Sequence, residues 1–150
     1  MKMVANSKIV ATLPVVDKNR AKRFYHETLG LKINMEDPQG VMLESRDGSG
    51  VYLYQRGPTK ADHTVLSFGV DDIDSEVREL RRKGIKFEQY DIPEMNLKTI
   101  DGIATFPGEE YETKSAWFKD TEGNILSLTQ MKKVGALPGG GKREKVSALR

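Results

Sequence analysis

The chain of 150 residues contains no cysteine. That excludes a disulfide framework, a thiolate nucleophile and a cysteine-type zinc site. Histidine is almost as scarce, with His26 and His63 alone. His26 reads as an ordinary residue of a first helix. Long apolar runs are also missing, since every hydrophobic patch is broken within a few positions and none approaches membrane-spanning length. No apolar stretch follows Met1-Lys2-Met3-Val4-Ala5-Asn6, so the start does not read as a secretory signal. No glycine-rich loop joins a strand to a helix, because Gly139-Gly140-Gly141 lies near the end, and no nucleophile elbow occurs. These absences leave a cytoplasmic protein without a membrane segment as the expectation.

What is present is an ordinary globular composition, 37% hydrophobic and 31% charged, in a chain long enough for one domain with a real core. The charge is unevenly placed. From Lys132 onward six basic residues stand against Glu144 alone, a net +5, which leaves residues 1–131 at −3 of the chain's +2. A mildly acidic body argues against a nucleic-acid footprint. The expected organisation is a single domain over residues 1–131 and a flexible, basic, glycine-rich tail over 132–150.

The most informative feature is self-similarity. Val16-Asp17, Gly30, Leu31, Lys32 and Ile33 recur as Val70-Asp71, Gly84, Ile85, Lys86 and Phe87, always 54 positions later. A second set, Asp47-Gly48, Val51, Leu53 and Gln55, recurs 75 positions later as Glu122-Gly123, Leu126, Leu128 and Gln130. Each half reads as a strand, an acidic cap, an amphipathic helix, a glycine stop and three further strands. The first module spans about 8–57 and the second about 62–131.

Local chemistry supports the elements. Asp17 suits an N-cap for a helix over about 18–29, with Ala21, Phe24, Tyr25 and Leu29 as its apolar stripe and Gly30 as its stop. Strands are expected at 31–36, 41–45 and 51–55. In the second half they are expected at 63–70, 85–90, 115–119 and 124–130, with a helix buried through Ile73, Val77 and Leu80. Residues 91–112 form an insertion without a firm assignment. The fold class is α+β, with two tandem βαβββ modules pairing into a curved mixed sheet around a cup, helices outside.

Period-2 alternation separates the faces. Val51, Leu53, Leu126, Leu128, Leu66 and Phe68 form the aliphatic side. Tyr52, Tyr54, His63, Val65, Ser67, Ser127 and Thr129 point the other way, and with Trp117 they suit the lining of a partly polar pocket. Such a lining can stack on a planar ligand and hydrogen-bond its edges.

The residues Asp17, Phe24-Tyr25 and Leu29-Gly30-Leu31, with the run Ala116-Trp117-Phe118-Lys119-Asp120-Thr121-Glu122-Gly123-Asn124-Ile125, resemble the vicinal oxygen chelate superfamily. That superfamily includes glyoxalase I, bleomycin-resistance proteins and extradiol dioxygenases. The second run resembles its F-x-D-P-x-G-N turn, with Thr121 in place of proline. The resemblance covers residues 8–131. It implies a homodimer, with halves paired within a chain or exchanged between chains. It also places the metal ligands of metal-dependent members at Val10, Tyr52, Val65 and Ser127, which are not ligand types. It further implies that Tyr90, Asp91, Lys98 and Asp101 fold over the mouth, Lys98 being the natural partner of an anionic group.

The expected function is therefore a metal-free small-molecule-binding protein with no cofactor. The alternative is a divergent lyase, isomerase or dioxygenase with a divalent metal at non-standard residues, or with acid–base chemistry from His63 or Lys98. A third possibility is a non-catalytic interaction module in which the tail or an exposed sheet binds a partner protein.

Overall fold

The computed structural model describes residues 4–135. It divides into two compact units: residues up to Ala61 together with Asp120–Asn124, and Asp62–Lys119 together with the chain from Ile125. Each unit is built on its own mixed sheet, so the class is α+β with two βαβββ-like modules.

After a 3-10 turn at Val4–Asn6, the first unit runs β1 (Ala11–Val15), α1 (Lys18–Arg23), β2 (Lys32–Glu36), β3 (Gly40–Glu44) and β4 (Gly50–Gln55). The sheet order is β1-β4-β3-β2, with β1 parallel to β4 and the other pairs antiparallel. Leu13, Val15, Val41, Leu43, Val51 and Leu53 are buried along one face, as are Ala21, Phe24 and Tyr25 of the helical segment. Each fully buried side chain of this size contributes roughly 1.5–3 kcal/mol. Asp17 caps α1 by accepting from the Arg20 N–H. The expected single helix changes character midway: Phe24–Thr28 is π-helical, with the Leu29 N–H donating to the Phe24 carbonyl. A π turn carries one more residue than an α turn.

The second unit comprises β5 (Thr64–Gly69), α2 (Ile73–Arg82), β6 (Asp91–Ile92), β7 (Leu97–Ile100), β8 (Ile103–Phe106), β9 (Tyr111–Lys119) and β10 (Ile125–Lys133). Their order is β5-β10-β9-β8-β7-β6. The helix is capped by Asp72, whose carboxylate accepts from Ser75 N–H, and it buries Ile73, Val77 and Leu80. That spacing of four and three is a single helical face.

Two expectations change here. The strand expected at 85–90 is reduced to one bridge between Phe87 and Phe118. The unassigned insertion instead supplies β6, β7 and β8, which extend the sheet. Arg81 pins this extension, donating to the Asp101 carbonyl at 2.9 Å and lying 5.6 Å from the Phe87 ring centroid. β10 also runs to Lys133, past the expected end of the body. From residue 136 onward the expected tail lies outside the described residues.

Among the described residues no helix is long and apolar enough to cross a membrane.

Candidate functional site

The polar face of the second sheet carries a chain of hydroxyls. Ser127 on β10 lies opposite Ser67 on β5 and Trp117 on β9, and Thr129 lies opposite Ser115. Ser127 donates to Ser67 Oγ at 2.7 Å, Ser67 and Thr129 hydroxyls lie 3.1 Å apart, and Thr129 and Ser115 are 3.4 Å apart. The last contact is long for a hydroxyl pair. Ser127 and Ser115 are buried while Ser67 is exposed, so the ladder reaches the surface at Ser67.

Aromatic rings flank the ladder. Trp117 is half-buried and its Nε1–H donates to Thr64 Oγ1 at 3.1 Å. Tyr90 meets it edge-to-face, with ring centroids 5.5 Å apart, a geometry that suits the opposed quadrupoles of edge and face. Burial raises the Tyr90 hydroxyl pKa, with the Glu88 charge adding to it, so this ring is uncharged at neutral pH.

Thr64 and Ser115 were not among the residues singled out from sequence. For Thr64 the reason is a β-bulge: Ile125 pairs with Thr64 but Leu126 with Leu66, leaving Val65 as the extra residue of β5. A bulge interrupts the two-residue alternation, and Thr64 thereby comes to the side of Trp117. His63, just before β5, is exposed, with Nδ1 3.2 Å from the Thr64 carbonyl. Lys98 is also exposed, on β7 opposite Asp91. Of the second-half candidates, Ser67, Trp117, Ser127, Thr129 and Tyr90 come together, and His63 and Lys98 do not join their hydrogen bonds.

In the first unit Tyr52 and Tyr54 share the face away from the buried aliphatic side chains. Tyr52 is committed elsewhere. Its hydroxyl donates to the Asp37 carboxylate at 2.9 and 3.1 Å. Asp37 is held below its ordinary pKa by the Gln39 N–H and then by Tyr52, and Tyr52 is raised in turn by that bond. The ring fits because position 40 is glycine: a Cβ there would stand 2.5 Å from Tyr52 Cζ and Oη and 2.4 Å from the Leu53 carbonyl oxygen. Asp37 and Gly40 lie between the strands expected at 31–36 and 41–45.

These contacts bear on a metal. At the positions the superfamily uses, Val10 and Val65 offer no lone pair, Tyr52 donates to Asp37, and Ser127 donates to Ser67. Glu44, a strand carboxylate, is paired with Lys8 and accepts from Asn34. Among the described residues no three of His, Cys, Asp or Glu gather as a ligand set. The donor chemistry does not fit a divalent ion.

The duplicated βαβββ plan defines the class of protein. A model of the glyoxalase/bleomycin resistance protein/dioxygenase superfamily matches residues 8–128, and the chain belongs to that superfamily. It is 27% identical over 139 residues to the uncharacterized protein YurT of Bacillus subtilis (strain 168), covering 81% of this chain and 97% of that protein. Among solved structures it is similar to TnmS3, an antibiotic binding protein from Streptomyces sp. CB03234, with a TM-score of 0.62 and 20% identity over 87% of this chain and all of that one. It is also similar to a lactoylglutathione lyase from Agrobacterium tumefaciens, with a TM-score of 0.60 and 18% identity over 83% of this chain and 93% of that one. At these identities the two structures speak to the fold.

Proposed function

We propose that this protein binds a small organic molecule on the polar face of the second sheet and does so without a metal ion. The observation that carries the reading is the hydroxyl ladder Ser127–Ser67–Thr129–Ser115 beside the Trp117–Tyr90 pair. Aromatic rings supply contact area, and the hydroxyls can hydrogen-bond a ligand's edge without a net charge. The similarity in fold to an antibiotic binding protein supports binding as the activity. His63, Val65 and Lys98 belong to this proposal as rim residues, while Tyr52 and Tyr54 belong to the sheet of the first unit. A homodimer is part of the same reading.

The test is elemental analysis of the purified protein with thermal melts against Ni, Zn, Mn, Fe(II) and Mg, followed by melts against a library of aromatic small molecules. The expected result is no stoichiometric ion, no saturable metal shift, and saturable stabilisation by a subset of the library. A stoichiometric ion with a saturable shift would overturn the metal-free reading. A monomeric mass by light scattering would remove the homodimer and leave the binding face as it stands.

A further inference from the structure

We infer that the ladder face takes an uncharged aromatic molecule that donates hydrogen bonds, a phenol-type ligand rather than an ether, a carboxylate or a cation. This rests on the reading that the face binds a small molecule.

A serine or threonine hydroxyl carries one hydrogen and two acceptor sites. Along Ser127, Ser67, Thr129 and Ser115 each contact uses one hydrogen and one lone pair. The ladder is therefore rich in acceptors while nearly all its hydrogens are engaged. The indole N–H beside it is engaged as well, by Thr64 Oγ1. A ligand meeting this face gains most by bringing its own hydrogen. An ether oxygen brings none, and it would leave buried lone pairs on Ser127 or Ser115 facing another acceptor.

The ladder hydroxyls carry no charge, nor do Thr64, Trp117 and Tyr90 beside them, and the rim cation Lys98 is exposed and lies opposite Asp91. Lys119, on the same side of β9 as Trp117, lies 3.5 Å from Glu88. An ion placed on the ladder would lose water without a countercharge. The Trp117 and Tyr90 rings meet edge-to-face, which leaves ring surface for an aromatic body.

The chain has one tryptophan, so a 15N-labelled sample has one indole resonance, and that resonance sits in the site. Phenol, anisole and benzoate are titrated against it in the full chain. The expected result is saturable movement with phenol binding about fivefold tighter than anisole, one hydrogen bond's worth, and benzoate weaker than both. Ser67→Ala breaks the ladder at its exposed link and frees the Ser127 hydrogen to donate outward. The phenol preference is then expected to fall to near one while anisole still binds. Tyr90→Phe keeps the ring contact and is expected to keep the preference. Equal binding of phenol and anisole, tighter binding of benzoate, or loss of the preference in Tyr90→Phe would each overturn the inference and leave small-molecule binding in place. No saturable movement with any of the three would remove the binding reading for this face.

Discussion

Asp47 and Glu122 occupy matching places in the two halves, each followed by a glycine at positive φ, 90° at Gly48 and 87° at Gly123. Hydrogen bonds from Ser45 and Ser49 bring Asp47 down to a pKa of about 2. For Glu122, burial alone pushes the pKa up, but bonds from Arg20, Thr121 and the Asp17 and Val16 N–H groups outweigh it and bring it to about 2 as well. Two carboxylates therefore titrate alike for different structural ends. Asp47 closes its own loop, accepting from the Ser45 hydroxyl and from the backbone and hydroxyl of Ser49. Glu122 reaches the start of α1, accepting from Val16 N and Asp17 N, each at 2.9 Å, and from Arg20 Nε at 2.8 Å. Its side chain is 1% exposed. A carboxylate at a helix start also meets the positive end of the helix dipole.

The lesson is that a turn motif fixes local geometry and leaves its partners to the rest of the fold. Around Glu122 the same turn buries Asp120. That carboxylate accepts from Tyr25 Oη at 2.7 Å, from the backbone N–H groups of Glu122 and Asn124, and from Asn124 Nδ2. Asn124 in turn donates to the Pro14 carbonyl. Among the described residues, the partners of Asp47 are Ser45 and Ser49 of its own loop.

The largest break in this comparison is expected from Asp120→Ala. It leaves the Tyr25 hydroxyl and two buried amides without their acceptor, so urea melts should show a loss of about 3–5 kcal/mol, while Asp47→Ala stays within experimental error. A smaller cost is expected from Glu122→Gln, about 2 kcal/mol at pH 7, and it carries a pH signature. The folded pKa lies below the unfolded one, so the carboxylate's contribution is full above the unfolded value of about 4.3. It is lost as pH falls toward 2. The stability gap between wild type and Glu122→Gln should close over that window, and a gap constant with pH would refute the assignment.

The other matched pair is Tyr52 and Ser127. Gly40→Ala should displace the Tyr52 ring and cost about 1–2 kcal/mol, with Tyr52→Phe showing the lost Asp37 bond alone. The double mutant should then be less than additive in thermal melts. The smallest effect is expected from Thr64→Val, about 0.5 kcal/mol, seen as a shift of the single indole 1H–15N resonance. An unmoved resonance would mean that the bulge does not bring Thr64 to Trp117.

Much of the architecture was legible in the residues because it follows from local chemistry: caps, glycine stops and two-residue alternation. The two repeat offsets located both helices and both glycine turns. The spacing of 54 nevertheless hid two compensating changes. It aligns Asp17 with Asp71, whereas the cap of α2 is Asp72, so the caps lie 55 apart. The first helix holds one residue more between its cap and Gly30 than the second does before Gly84, and that segment is π-helical. In the second half the extra residue is Val65, absorbed by the bulge. Equal spacing at the ends concealed an insertion in each half.

The polar ladder was half visible. Ser67, Ser127 and Thr129 follow from alternation alone. Thr64 could not, because a bulge changes the phase of a strand without leaving a composition signal. Ser115 pairs with Thr129 and stands at the expected start of its strand, where residue type alone does not mark it as part of a ladder. Tyr52 was placed on the correct face, yet its commitment to Asp37 required a glycine three-dimensionally beneath its ring. Sequence by itself determined the duplicated fold and the aliphatic cores, since these rest on residue type and period. Tertiary structure alone decided which hydroxyls meet, where Tyr52 points and what Glu122 clamps, since hydrogen bonds between residues 14 to 106 positions apart have no local signature.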